Sequence, residues 1–330
     1  MLPSHPSRPV IAARCNRVLV PACSADGLVT MKAIVNNPGG PAITAVDDPR
    51  PGSGEALVAV QAFSVNRGEL DLLRTRTSGW RPGQDVAGVV VAQARDGSGP
   101  AAGTRVVALA EQAGWAELAA VPASRLAPLP AEVGTEQAAA LPLAGLTALR
   151  TLRLAGDLLG RRVLVTGANG GVGRIQIQLA AAAGAEVTAV ARPQHEKQLL
   201  ALGASSVVAD PAAADGLYDL VADWVGGPSL AAGLGKVAPR GTVVLGSGST
   251  EKTPISIYDF FGHEGARLVG YLSYAHPEPP GPDLATLIGL AAAGRLDPAV
   301  GLTLPWTQLR DALTALAERR ISGKAVLTVG

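Results

Sequence analysis

The chain has 330 residues, with 28 Lys plus Arg against 27 Asp plus Glu, so its formal charge of +1 offers no basic surplus for a nucleic-acid partner. A hydrophobic content of 48% excludes wholesale disorder, and at roughly 150 residues per domain the length favours two domains. The apolar stretches around Leu141 and Leu287 stop at Arg150 and Arg295, short of the roughly 20 residues that span a bilayer, so no membrane partner is expected either. The 2 cysteines, Cys15 and Cys23, leave no disulfide framework or four-cysteine zinc lobe in the body of the chain, and a cytoplasmic setting is expected.

Residues 1–30 are interrupted by Pro and Arg every few positions; they lack a secretory apolar region and read as a loose N-terminal extension. From Met31 the texture is that of strands. MKAIVNN and EALVAVQAFSVN flank a Pro- and Gly-rich stretch from Pro38 to Gly54 that reads as loop, and DVAGVVVAQ, TRVVALA and WAELAAVP follow. An Ala/Leu-rich helical stretch opens near Thr135. After it come a strand at Arg162 to Thr166, a glycine turn, a helix to about Ala183 and a strand at Glu186 to Ala191: a βαβ unit. Further strands are predicted at Ser206–Ala209, Tyr218–Ala222, Gly241–Gly246 and Leu268–Leu272, with helices at Gln194–Leu202, Pro228–Val237, Asp283–Ala293 and Trp306–Arg319 and a last strand at Ala325–Val329. Six strands of the middle region predict an open, doubly wound parallel sheet, making the chain α/β.

The turn Gly167-Ala168-Asn169-Gly170-Gly171-Val172-Gly173 is the most informative stretch. Glycine at 170 admits a pyrophosphate to the backbone, glycine at 173 lets the helix pack on the strand, and the helix N-terminus turns N–H groups towards an anion. Where NAD-binding chains place a carboxylate after the second strand, this one has Arg192-Pro193-Gln194-His195-Glu196-Lys197. Arg192 and Lys197 there point to a 2′-phosphate and hence to NADPH as cofactor.

With Ser64-Val65-Asn66-Arg67-Gly68-Glu69, Pro82-Gly83-Gln84-Asp85-Val86-Ala87-Gly88, Leu141 to Ala148 and the closing Gly323-Lys324-Ala325-Val326-Leu327, the chain after residue 30 resembles the medium-chain dehydrogenase/reductase superfamily, in its zinc-independent quinone oxidoreductase and enoyl reductase branch. The resemblance implies a GroES-like β-rich catalytic domain over 31–148 and 297–330, a Rossmann NADP-binding domain over 149–296 and a homodimer. It implies that zinc-dependent relatives carry Cys at Asn66 and Gly-His-Glu at Gly83-Gln84-Asp85, so no zinc is expected here. It further implies hydride addition from NADPH to an enone, enoyl compound or quinone. Asn66 and Thr147 would lie near the nicotinamide, and Gly246, Ser247, Leu272 and Ser273 would line the same crevice. The usual tyrosine acid is replaced at its offset by Asp71. Tyr274 is then the preferred proton donor, with Tyr258 and Tyr271 as alternatives, while Glu69 and Asp71 are read as scaffold or surface carboxylates. The competing reading is a non-catalytic NADPH-binding redox sensor or structural protein.

Overall fold

The computed structural model describes residues 30–246 and 251–330. The N-terminal extension, apart from Thr30, and Ser247 therefore lie outside the described residues. Met31, Ala33, Ile34 and Val35 are buried in β1 (Thr30–Asn37), which pairs antiparallel with β2 (Gly40–Asp47). β2 occupies much of the stretch expected to be loop. Its apolar residues at 43, 45 and 46 register against β1, and Pro38-Gly39 serves as the turn between them.

Among the described residues a seven-stranded sheet follows, built on β3 (Glu55–Val65). β3 pairs antiparallel with β4 (Asp85–Ala92), β6 (Leu118–Pro122) and β15 (Lys324–Thr328). β5 (Arg105–Leu109) and β7 (Leu126–Pro128) continue one side, and β14 (Val300–Pro305), which pattern alone does not reveal, pairs parallel with β15 on the other. The apolar positions of β3 alternate inward onto Phe63, Trp115 and Trp306; the rings of Phe63 and Trp115 stack at 5.5 Å.

The second large sheet has six parallel strands: β8 (Arg162–Val165), β9 (Glu186–Val190), β10 (Ser206–Val208), β11 (Tyr218–Asp223), β12 (Val237–Leu245) and β13 (Arg267–Gly270). Their order is β10-β9-β8-β11-β12-β13, so the winding reverses between β8 and β11 and opens a crevice at the strand ends there. Continuous buried runs such as Val163-Leu164-Val165 are what a sheet covered on both faces requires.

Helix α1 (Arg67–Thr75) follows β3, and α2 (Thr135–Ala139) leads to α3 (Pro142–Arg153), whose Pro142 presets the first turn. α3 runs across the boundary expected between 148 and 149, because one buried face packs on both halves of the chain. Next come α4 (Gly171–Ala182), α5 (Glu196–Ala201), α6 (Pro228–Leu234), α7 (Gly281–Ala292) and α8 (Leu309–Ala317). α6 ends three residues before Val237, which already belongs to β12. No helix among the described residues is long and apolar enough to cross a membrane.

Candidate active site

The glycine turn sits where the sheet reverses. Gly170 is extended and no side chain caps α4, an arrangement that leaves helix N–H groups to an anion. A Cβ on Gly173 would come within 2.7 Å of Ala168 Cα and 2.8 Å of Ala168 O, so only glycine lets this helix rest on its turn. The segment before β15 closes on the other side: Gly323 N donates to Asn169 O at 2.9 Å, and Asn169 Nδ2 donates to Ser322 Oγ at 3.0 Å. Arg174, one turn into α4, donates to Asn169 Oδ1 at 2.9 Å and to Gln198 Oε1 at 3.2 Å. His195 Nε2 lies 3.4 Å from Asn169 Nδ2. Burial, then the charges of Arg192 and Arg174, hold the His195 imidazole below its ordinary value, which marks a locally cationic rim. Arg192 and Lys197 are exposed at that rim.

Across the turn lies a buried charged cluster drawn from four segments. Lys324 Nζ donates to Asn66 Oδ1, to Asp85 Oδ2 at 3.1 Å and to Val65 O at 3.4 Å. Asp85 Oδ2 also accepts from Ser64 Oγ at 2.6 Å and Asn66 Nδ2 at 2.9 Å, while its Oδ1 accepts from Leu143 N at the start of α3 at 2.7 Å. Glu69 Oε2 accepts from Asn66 N at 2.8 Å and Asn66 Nδ2 at 3.4 Å, and Oε1 accepts from Gln84 N at 3.1 Å. Glu69 and Asp85 are fully buried and Lys324 is 4% exposed. Burial first, and the charge of Asp85 second, push the Glu69 carboxyl up to about 8, against the pull of the Asn66 N–H and of Lys324. Glu69 is thus no surface carboxylate; Asp71 is, paired with Arg74 on the outside of α1.

The far wall of the crevice is formed by the ends of β12 and β13. Tyr271 N donates to Leu245 O at 2.9 Å, which sets Gly246 beside the segment Leu272-Ser273-Tyr274. Trp224, following β11, packs against Gly246 and Gly167 and donates from Nε1 to Gln176 Oε1 at 2.8 Å. Tyr274 is 78% exposed, whereas the Tyr271 hydroxyl is buried beside Arg150 and pushed up by that burial, against the pull of the guanidinium. Nearby, Arg150 of α3 is buried against Asp283 at 2.7 Å and donates to the carbonyls of Glu278 and Pro279 at 3.1 and 3.2 Å. Burial pushes the Asp283 carboxyl up, but the guanidiniums of Arg150 and Arg153 more than offset it and hold it below the usual range.

Residues 52–131 match the alcohol dehydrogenase GroES-like domain family, and residues 202–327 match the zinc-binding dehydrogenase family. The chain is 35% identical over 289 residues to the spectinabilin polyketide synthase system protein NorB of Streptomyces orinoci, covering 84% of this chain and 13% of that protein. It is 36% identical over 176 residues to the chloroplast envelope quinone oxidoreductase homolog of Arabidopsis thaliana, covering 48% of this chain and 54% of that one. The chain thus spans only part of the length of either relative. A solved mycobacterial quinone oxidoreductase superposes with a TM-score of 0.79 at 27% identity, over 91% of this chain and all (100%) of that structure. The chain belongs to the medium-chain dehydrogenase/reductase superfamily. Within it, the quinone oxidoreductase and enoyl reductase branch is the one it joins, with the GroES-like and Rossmann architecture of that superfamily.

The quinone oxidoreductases of the superfamily use a nicotinamide cofactor, and the crevice fits one. The uncapped N-terminus of α4, held tight on its turn by the side-chain-free contact at Gly173, forms a cradle of backbone N–H groups. Asn169, Gly170, Gly171 and Val172 lie around that cradle, while Gly246 follows β12 against the ring of Trp224. Thr147 is buried on α3, on the helix whose Ala144 side chain approaches Gly171. Asn66, however, has its carbonyl on Lys324 and its amide hydrogens on Asp85 and Glu69, so its side chain is engaged inward. Among the described residues no group of three or more His, Cys, Asp or Glu side chains is arranged to hold a metal ion. Sequence reasoning gave no role to Lys324, Arg174 or Trp224. For Lys324 one signal existed: it is the only charged residue of the closing strand.

Proposed function

We propose that the chain is an NADPH-dependent, metal-independent reductase acting on the activated C=C of an enone or enoyl compound, or on a quinone. What chiefly supports this reading is the lysine-filled cluster: at the positions where zinc-dependent relatives place Cys and Glu, an ammonium already joins Asn66 to Asp85, and Gln84 stands in place of the His. Such a site holds an ammonium already paired with a carboxylate and offers no soft ligand. Bound at the glycine turn, the cofactor would supply hydride to the electrophilic carbon while the substrate's carbonyl oxygen takes the electron pair and then a proton. The chain's own contribution is to seat the pyrophosphate at α4, to hold the 2′-phosphate between Arg192 and Lys197 with Arg174 behind them, and to keep the crevice floor dry with α3 and Trp224.

Mixing the protein with NADPH and a panel of enones and quinones should show loss of reduced-nicotinamide absorbance, with NADH at least about tenfold less effective. Arg192→Ala combined with Lys197→Ala should erase that preference by weakening NADPH alone. Tight NADPH binding with no turnover across the panel would instead favour a non-catalytic redox sensor, a reading to which the inward-engaged Asn66 amide lends support.

The reading also includes a homodimer. Among the described residues β13 pairs only with β12, and Tyr258 at 73%, Phe261 at 69% and Leu272 at 55% exposure sit near that open edge. Sedimentation of the native chain should give twice its own mass, and a charged residue at Phe261 should give a monomer.

A further inference from the structure

One side chain touches both the nucleotide turn and the buried cluster. Lys324 lies with its methylene stem against Gly171, so close that a Cβ there would come within 2.6 Å of Lys324 Cδ and 3.0 Å of Cγ. Its ammonium, at the other end of the same stem, bonds Asn66 Oδ1, Asp85 Oδ2 and Val65 O. The residue before it, Gly323, is bonded through its N–H to the turn at Asn169. A buried ammonium needs such partners to offset its desolvation, and three acceptors use all three of its protons. The amide of Asn66 is fixed in consequence: its oxygen faces Lys324, so its nitrogen must face Asp85 and Glu69.

Resting on the reductase reading, we propose that Lys324 is a positioning residue for hydride transfer, holding the amide of Asn66 and the carboxylate of Asp85 in register with the nucleotide turn at Gly171. It bears on the reaction through others, because its own protons are engaged within the cluster. The charged groups facing that cluster are Glu69 from α1, Asp85 from β4 and Lys324 from β15.

The test compares wild type with Lys324→Met, Lys324→Arg and Asp85→Asn. Lys324→Met should lower turnover by about tenfold or more while NADPH affinity, read by tryptophan quenching, stays within about threefold. The pH at which folding stability declines through Glu69 should move up in Lys324→Met, which loses a neighbouring cation, and down in Asp85→Asn, which loses a neighbouring anion. Lys324→Arg, which keeps the charge, should leave that pH near its wild-type position. Equal losses in turnover and NADPH affinity with an unmoved pH midpoint would overturn the proposal by reducing Lys324 to a packing role. Should Lys324→Met fail to fold, Asp85→Asn and Lys324→Arg still decide it, since an unmoved midpoint in the first overturns it as well. If wild type binds NADPH yet reduces no acceptor, the reductase reading falls while the midpoints continue to report on the clamp.

Discussion

Replacing Glu69 by Gln should flatten the dependence of folding stability on pH between about 4.5 and 8. The carboxyl is raised to about 8 in the folded chain and titrates near its ordinary 4.5 once unfolded. Below 4.5 both states hold the proton and no difference arises. Above it the unfolded chain releases the proton while the folded chain retains it, so stability declines by about 1.4 kcal/mol per pH unit until the folded carboxyl ionises in turn. The loss accumulated by about pH 9 is on the order of 5 kcal/mol, a large share of the total stability of a protein. Glutamine cannot ionise, but its NH2 would face the N–H of Asn66 or Gln84, which costs about 1–3 kcal/mol at every pH. The variant is therefore expected to be less stable than wild type at about pH 5 and comparable or more stable at about pH 9. Chemical denaturation at a series of pH values measures both curves; a constant gap between them would show that Glu69 is ionised throughout.

The second large effect is expected at Gly173. An alanine there would press its methyl onto Ala168 and the carbonyl of Gly167, atoms of backbone with little freedom to give. Either α4 lifts from the turn or the turn opens, and both move the helix N–H groups away from a docked pyrophosphate. NADPH binding should weaken on the order of 100-fold, with stability falling by about 1–3 kcal/mol. Gly68, in α1, has nothing within 4 Å of the point where a methyl would stand, so Gly68→Ala should leave binding unchanged. Calorimetric titration of the two variants side by side separates crowding at the turn from a general effect of losing glycine.

Much of this is legible in the sequence where the signal is local. The strand, glycine turn and helix from Arg162 to Ala182 form one continuous run, and neighbouring residues dictate each other's conformation there. The same holds for the buried runs of the parallel sheet. β2 is harder, since Pro and Gly at its borders outweigh a short alternation whose partner is known only once β1 is placed. β14 is hidden for a related reason: its pairing with β15 comes from distant packing.

The carboxylate–lysine cluster is the least legible. Asn66 and Glu69 lie close in sequence, but Lys324 stands 258 positions from Asn66 and 239 from Asp85. No pattern within a window of a few turns reports that a lysine will be buried by strands so far apart. Read in isolation, Glu69 on a short helix has the features of a solvated residue, and only the assembled sheet removes its water. Tyr274 is the reverse case, a position legible in sequence whose environment is not. It follows β13 as expected, yet its ring stands in solvent, and Tyr271 is the tyrosine turned inward.

The tether from Arg150 has its own consequence. Because the guanidinium grips the carbonyl oxygens of Glu278 and Pro279, the main chain there is anchored to α3 whatever side chains decorate it. On the reductase reading, side chains changed at 275–277 would retune acceptor choice without displacing the chain, provided Arg150 and Asp283 are left alone.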